Sequence, residues 1–461
     1  MNSQYLRATA ARVSSGIARY GHHGAFTRST PRNLATGSRI ISREISSTKG
    51  YQNAVPISYI TKSPLPDFEM DYDSLVAKGK PVKWTMIDLN PVGGKQTKFS
   101  NFWLRENCPS WKHPDTHQRQ IDPFLTIPLD IAPEEVRTFT DRVEIDWNDG
   151  HKSVYDTQWL KDHAQSSRRL PKSDANRHKI TFRKDLETVS PKLESKPIVE
   201  YEDVMGSDDG VGRWLRLIHK YGFAFVKGTP ATPEATEKLL QRIAFIRETH
   251  YGGFWDFTAD LAKKDMAYTT LPIGAHTDTT YFTDPARLQM FHLLSHDGSG
   301  GESLLVDGFE AAKRLFHEDF AAYRILTSVQ TVAHASGNED VMIQPAIPYP
   351  VLNHNPVTDE LYQVRWNNED RASKNLYSMV TMNAWYVAAK KWSDIISRPE
   401  MQIWFQLEPG MPMIFDNWRM MHGRAEFDGK RRICGGYINN DDFQSRLNLL
   451  TRGRKQLLKE L

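Results

Sequence analysis

Cysteine is almost absent from this chain. Cys108 and Cys434 are its only two, which excludes a disulfide framework or a cysteine-rich cluster and fits a reducing compartment. No window holds the ~18 consecutive apolar residues of a membrane-spanning helix, so no membrane crossing is predicted. Residues 1–43 lack lysine, and no acid precedes Glu44; they carry Arg7, Arg12, Arg19, Arg28, Arg32, Arg39 and Arg43 among many serines, alanines and threonines. That profile matches a mitochondrial transit peptide, with a disordered basic tail as the plainer alternative. With those arginines set aside, 52 of the 59 basic residues face 56 acidic ones, a formal balance of −4. A body of that charge lacks the basic footprint of a nucleic-acid-binding protein.

What is present suffices for a large core: 461 residues, 39% of them hydrophobic and 25% charged. Residues 1–50 read as the leader. Residues 80–165 are short-stranded and turn-rich; Val143 and Ile145 alternate with polar residues before an Asn-Asp-Gly turn, a hairpin signal that marks a small β-rich domain. Residues 166–197 lack apolar periodicity and read as a connecting region. From residue 198 to 461 the chain reads as one larger domain. Thr232 as N-cap and Pro233 at the first helical position start a helix. A second helix covers SMVTMNAWYVAAKKWSDII, with Trp385, Ala389, Trp392 and Ile396 on one stripe. LQMFHLL, SLLVDG and MQIWFQL read as strands. Many strands, few helices and no βα alternation predict a mainly β fold, a sandwich or jelly roll with helical buttresses.

The stretch GAHTDTTYF places His276 and Asp278 two apart. On a strand both side chains would leave the same face, so imidazole and carboxylate would converge. Such a pair holds a metal or merely makes hydrogen bonds, and the rest of the chain must decide. In MIFDNWRMMHGR a short apolar strand runs into Asp416-Asn417-Trp418 and, after Arg419, reaches His422, a candidate third ligand, next to Gly423. Two histidines and one carboxylate on one face of an octahedral ion leave three open positions, the arrangement by which non-heme Fe(II) oxygenases admit a chelating co-substrate and O2. Nine residues later stands Arg431, whose planar guanidinium suits the remote carboxylate of an acid such as 2-oxoglutarate.

These residues carry a family resemblance. With WLREN, HTDTTYF, SGGESLLVDGF, VRWNNEDRA and FDNWRMMHGR in this order, the chain resembles the γ-butyrobetaine hydroxylase and trimethyllysine hydroxylase group of 2-oxoglutarate-dependent oxygenases, from about Val82 to near its end. The resemblance implies a double-stranded β-helix, the jelly roll, with iron on His276, Asp278 and His422. It implies 2-oxoglutarate anchored by Arg431, with Ser303 at a further contact position, and ascorbate as reductant. Tyr251, Trp255, Tyr268 and Tyr437 match an aromatic cage for a trimethylammonium group, whose cation is attracted by ring faces; packing in the core is the plainer fate of any one of them.

Asp265 lies where butyrobetaine enzymes resemble one another in having asparagine. A carboxylate there pairs with an α-ammonium and repels a lone carboxylate. The implied reaction is therefore hydroxylation of Nε-trimethyllysine at C3, an early step of carnitine synthesis, with Asn367 orienting the amino-acid end. Hydroxylation of γ-butyrobetaine is the nearer alternative, and a catalytically silent jelly-roll binding protein the more distant one. The implied setting is the mitochondrial matrix, and the resemblance allows a homodimer without any residue pattern specifying one. The butyrobetaine enzymes resemble one another in a zinc site of three cysteines and a histidine in the small domain. Here Cys108 remains, Ser110 and His113 stand for the other two cysteines, and His151 matches the histidine. Serine is a poor ligand, so structural zinc on Cys108, His113 and His151, completed by His117, stands against a domain held by packing and hydrogen bonds.

Overall fold

The computed structural model describes residues 86–89, 98–163, 197–258, 269–356, 359–373 and 376–459. The leader, the connecting region as far as residue 196, and two expected site residues, Asp265 and Tyr268, lie outside them.

The amino-terminal part pairs β1 (Met86–Asp88) with β2 (Lys98–Ser100) and builds an antiparallel three-stranded sheet from β3 (Pro133–Thr138), β4 (Arg142–Trp147) and β5 (Lys152–Asp156). The alternation at Val143 and Ile145 does what a half-buried strand requires: both are fully buried, while their neighbours reach outward. Gly150 closes the hairpin at φ +80°, a conformation open to glycine without steric cost. Trp147, Tyr155 and Leu160 complete the small core with Leu104 and Ile131.

The larger region has two facing sheets, a separate antiparallel pair of strands, and helices outside them. In chain order its strands are β6 (Ile198–Glu200), β7 (Phe223–Lys227), β8 (Trp255–Thr258), β9 (Ile273–His276), β10 (Leu288–His296), β11 (Ser303–Asp307), β12 (Leu352–His354), β13 (Leu361–Val364), β14 (Gln402–Phe405), β15 (Met413–Asp416), β16 (Met420–Arg424) and β17 (Arg431–Ile438). One sheet has the order β6-β7-β15-β10-β17-β8, the other β14-β11-β16-β9. Antiparallel pairing dominates, β12 and β13 pair with each other, and the runs β8–β11 and β14–β17 alternate between the two larger sheets, as in a jelly roll. A core of Phe223, Phe225, Leu305, Phe405, Met413, Phe415 and Ile433 fills the space between them.

The helical signals act where they were expected. Thr232 accepts from the Ala235 N–H and Pro233 opens the helix Pro233–Gln241. Ser378 caps Met379–Ile396, whose Trp385, Ala389, Trp392 and Ile396 pack in one core cluster behind β11. Two segments depart from the linear reading. β9 ends at His276, and Asp278 sits in the turn that follows. MIFDNWRMMHGR is not one strand but two in different sheets: the Asp416 carboxylate accepts from the Trp418 N–H, and β16 enters the opposite sheet.

Candidate metal and 2-oxoglutarate site

His276 and His422 face one another as cross-strand partners on β9 and β16, with ring centroids 4.3 Å apart. That register exists because Gly423 lets the two backbones close: a Cβ there would lie 2.5 Å from the Ile273 carbonyl oxygen. Asp278 reaches the pair from its turn. Asn417 locks that turn, its Oδ1 accepting from the Asp278 N–H at 2.8 Å and its Nδ2 donating to the Asp278 carbonyl at 3.0 Å. The convergence of His276 and Asp278 thus comes from a side-chain clamp on a turn, not from strand periodicity.

The ligand atoms of His276, Asp278 and His422 all lie within 4.8 Å of one another. His276 Nε2 is 3.1 Å from Asp278 Oδ1, and His422 Nε2 is 3.7 Å from Asp278 Oδ2. His276 Nδ1 lies 2.8 Å from the Gly274 carbonyl, which fixes Nδ1 as donor and turns Nε2 inward toward Asp278, where a bound cation would take the place of the Nε2 proton. Burial alone would lower the His276 pKa, but the hydrogen bond and charge of Asp278 outweigh it and raise it to about 9. His422 is pushed down to about 3 by burial, helped by the nearby His276 charge. Burial disfavours the ionised Asp278 carboxylate, yet His422, His276 and the Gln289 amide together hold it below the usual carboxylate range. Two imidazoles and one ionised carboxylate in this spacing are a donor set that fits Fe(II).

A cavity of about 420 Å³ opens on the three side chains. Arg431 and Arg424 line one part of it together with Ser303, which is paired with Arg424 across β11 and β16. Burial pushes both guanidinium groups down to about 10, with Arg424 adding to the effect on Arg431, so both remain charged at neutral pH. The Arg431 Nε is buried without a hydrogen-bond partner. A buried cation with an unsatisfied donor favours an anionic ligand, and a dicarboxylate that also reaches the histidines would supply it.

The same cavity is walled by Tyr251, Trp255 and Tyr437, with the Trp255 and Tyr437 rings 6.2 Å apart and inclined at 64°. Phe257 and Phe291 extend this wall. Asn367 also lines the cavity, beside Glu369 and Asp370, and its Nδ2 donates to Asp370 Oδ2 at 2.9 Å. No linear motif singled out Asn417, Gln289, Glu369 or Asp370. Asn417 lies within FDNWRMMHGR, and Glu369 and Asp370 within VRWNNEDRA, but nothing in either stretch pointed to these side chains.

The candidate zinc residues do not converge on one point. Cys108 Sγ lies 3.2 Å from His151 Nε2 and 3.2 Å from Ser110 Oγ. His113 does not join them, its Nδ1 instead accepting from the backbone N–H groups of Asp115 and Thr116. Among the described residues, the iron-type trio is the only group of three or more such side chains within ligand range. Around Cys108, packing replaces coordination: the Arg105 guanidinium stacks 3.7 Å above the Trp111 ring, and Trp111 packs against His151.

Residues 185–437 match the family described as "Taurine catabolism dioxygenase TauD, TfdA family", and residues 85–183 match "Gamma-butyrobetaine hydroxylase-like, N-terminal". A trimethyllysine dioxygenase of Neurospora crassa is 44% identical over 81% of this chain and 85% of its own length. The chain belongs to the trimethyllysine dioxygenase family. Further members from Meyerozyma guilliermondii, 42% identical over 79% of this chain and 94% of theirs, and from Homo sapiens, 36% identical over 77% and 83%, agree. The human relative is named mitochondrial. As a member of the trimethyllysine dioxygenase family, the chain is an Fe(II)- and 2-oxoglutarate-dependent dioxygenase.

Proposed function

We propose that this chain hydroxylates Nε-trimethyllysine at C3, coupled to conversion of 2-oxoglutarate and O2 into succinate and CO2. The observation that carries this reading is one cavity that unites the His276, Asp278 and His422 donors, the Arg431 guanidinium and the Tyr251, Trp255 and Tyr437 rings. Fe(II) held by the trio supplies activation of O2 and oxidation of an unactivated C–H bond. The chain's residues do the placing. Arg431 and Ser303 hold the distal carboxylate of 2-oxoglutarate, in a geometry a lysine would not reproduce. The aromatic wall binds the trimethylammonium end, which cannot donate hydrogen bonds and gains from ring faces. With both ends fixed, the carbon to be oxidised would be held beside the His276, Asp278 and His422 donors.

The cavity's charges favour trimethyllysine over γ-butyrobetaine. Glu369 and Asp370 line it beside Asn367, so a substrate bearing an α-ammonium has carboxylates to pair with, while one bearing only a carboxylate is repelled by them. Asp265, the other carboxylate expected there, lies outside the described residues. Homologues named mitochondrial support the same address for this chain, with residues 1–50 as its leader. The test is mass spectrometry of trimethyllysine and γ-butyrobetaine incubated separately with the chain, Fe(II), 2-oxoglutarate and ascorbate. A hydroxylated product from trimethyllysine, absent with His276→Ala, is expected; product from γ-butyrobetaine alone would overturn the substrate assignment.

A further inference from the structure

Gln289 and Tyr437 are direct cross-strand partners on β10 and β17. Opposed residues of an antiparallel pair project from the same face, so both side chains arrive at one place. That place is a single oxygen: Gln289 Nε2 donates to Asp278 Oδ2 at 2.6 Å, and the Tyr437 hydroxyl donates to it at 3.1 Å. Gln289 and Tyr437 are 1% and 5% exposed, so water does not compete freely for these bonds. An ionised carboxylate only accepts, which sets the amide orientation of Gln289 with its nitrogen toward Asp278. The other oxygen, Oδ1, faces His276 Nε2.

We propose that Gln289 and Tyr437 are positioning residues that cap Asp278 Oδ2 and so hold the carboxylate to coordination through Oδ1 alone. This rests on the reading of His276, Asp278 and His422 as metal ligands. A carboxylate gripping the ion with both oxygens would fill one of the three positions that a chelating acid and O2 need. Two donors on one oxygen prevent that and fix the plane of the other. Tyr437 thereby has two tasks on one side chain: its ring walls the cavity that receives the trimethylammonium group, while its hydroxyl reaches a metal ligand.

Tyr437→Phe separates the two, because the ring stays and the hydroxyl goes. Mn(II) titration of the full chain, followed by the loss of the free-ion electron paramagnetic resonance signal, reads the metal directly and needs no turnover. Partners of metal ligands typically contribute about 10- to 100-fold to metal affinity. Tyr437→Phe is therefore expected to weaken Mn(II) binding about 10-fold, with the trimethyllysine KM unchanged, and Gln289→Leu is expected to weaken Mn(II) binding similarly while keeping the same melting temperature. Tyr437→Ala is expected to lose both metal and trimethyllysine affinity. The proposal is overturned if Tyr437→Phe binds Mn(II) as tightly as the unsubstituted chain, or if it loses only trimethyllysine affinity. Unchanged Mn(II) binding by His276→Ala would instead remove the ligand assignment on which it rests.

Discussion

Two clusters in this molecule contain residue types that bind transition metals, and they differ in how those residues are brought together. Around Cys108 the candidates lie on a short helical turn, a loop and a hairpin end, and each finds a local partner: His151 meets the thiol, and His113 serves the backbone of its own loop. In the jelly roll, His276 and His422 are opposed on paired strands, and Asp278 is clamped to them by a residue more than a hundred positions away in sequence. Ligand-type residues become a site only where rigid elements converge them. With serine and histidine standing where two cysteines are expected, the small-domain residues settle into local hydrogen bonds, whereas the hydrogen bonds around the jelly-roll trio hold its three side chains toward one another.

The comparison can be broken most severely at the trio itself. His276→Ala, Asp278→Ala or His422→Ala should each abolish 2-oxoglutarate decarboxylation, measured as succinate release, whereas Cys108→Ser should leave it essentially intact. A Cys108→Ser chain without activity would show that the small domain is more than support. Next in size, Arg431→Ala removes the partner of a buried carboxylate. Such losses run to ~2–5 kcal/mol, so the 2-oxoglutarate KM should rise roughly 30-fold or more, with the trimethyllysine KM far less affected. Asn417→Ala sharpens the contrast by releasing the Asp278 turn without touching a ligand atom; Mn(II) affinity should fall about 10-fold. Smallest is the effect of chelation on the small domain. Overnight EDTA should strip activity while leaving amide exchange in residues 142–156 unchanged. Faster exchange there would reinstate a structural metal.

Legibility followed distance along the chain. Thr232 with Pro233 and Ser378 carried their helices because capping is decided within four residues. The alternation at Val143 and Ile145 carried a hairpin for the same reason. The trio itself could be named from its residue types, its order and its resemblance to a family. What could not be read was the joinery: β16 in a different sheet from β15, the Asn417 clamp, and the convergence of Gln289 and Tyr437 on Asp278. Each depends on pairing between strands distant in sequence, which local pattern does not encode. Between zinc and a domain held by packing, spacing could not decide for the same reason, since it did not show that the His113 ring turns back onto its own loop.

Gly423 sets a limit on how such a protein can be altered. Its missing side chain is the clearance between the strands that bear the two histidines, and even a methyl group would meet the Ile273 carbonyl. An alanine at this position would not remove a ligand, a charge or a hydrogen bond. It would push the histidine-bearing strands apart, and the two imidazoles with them. A mutational survey that scores only residues in contact with ligands would therefore miss one of the most sensitive positions in the molecule, because what matters there is an atom that must not exist.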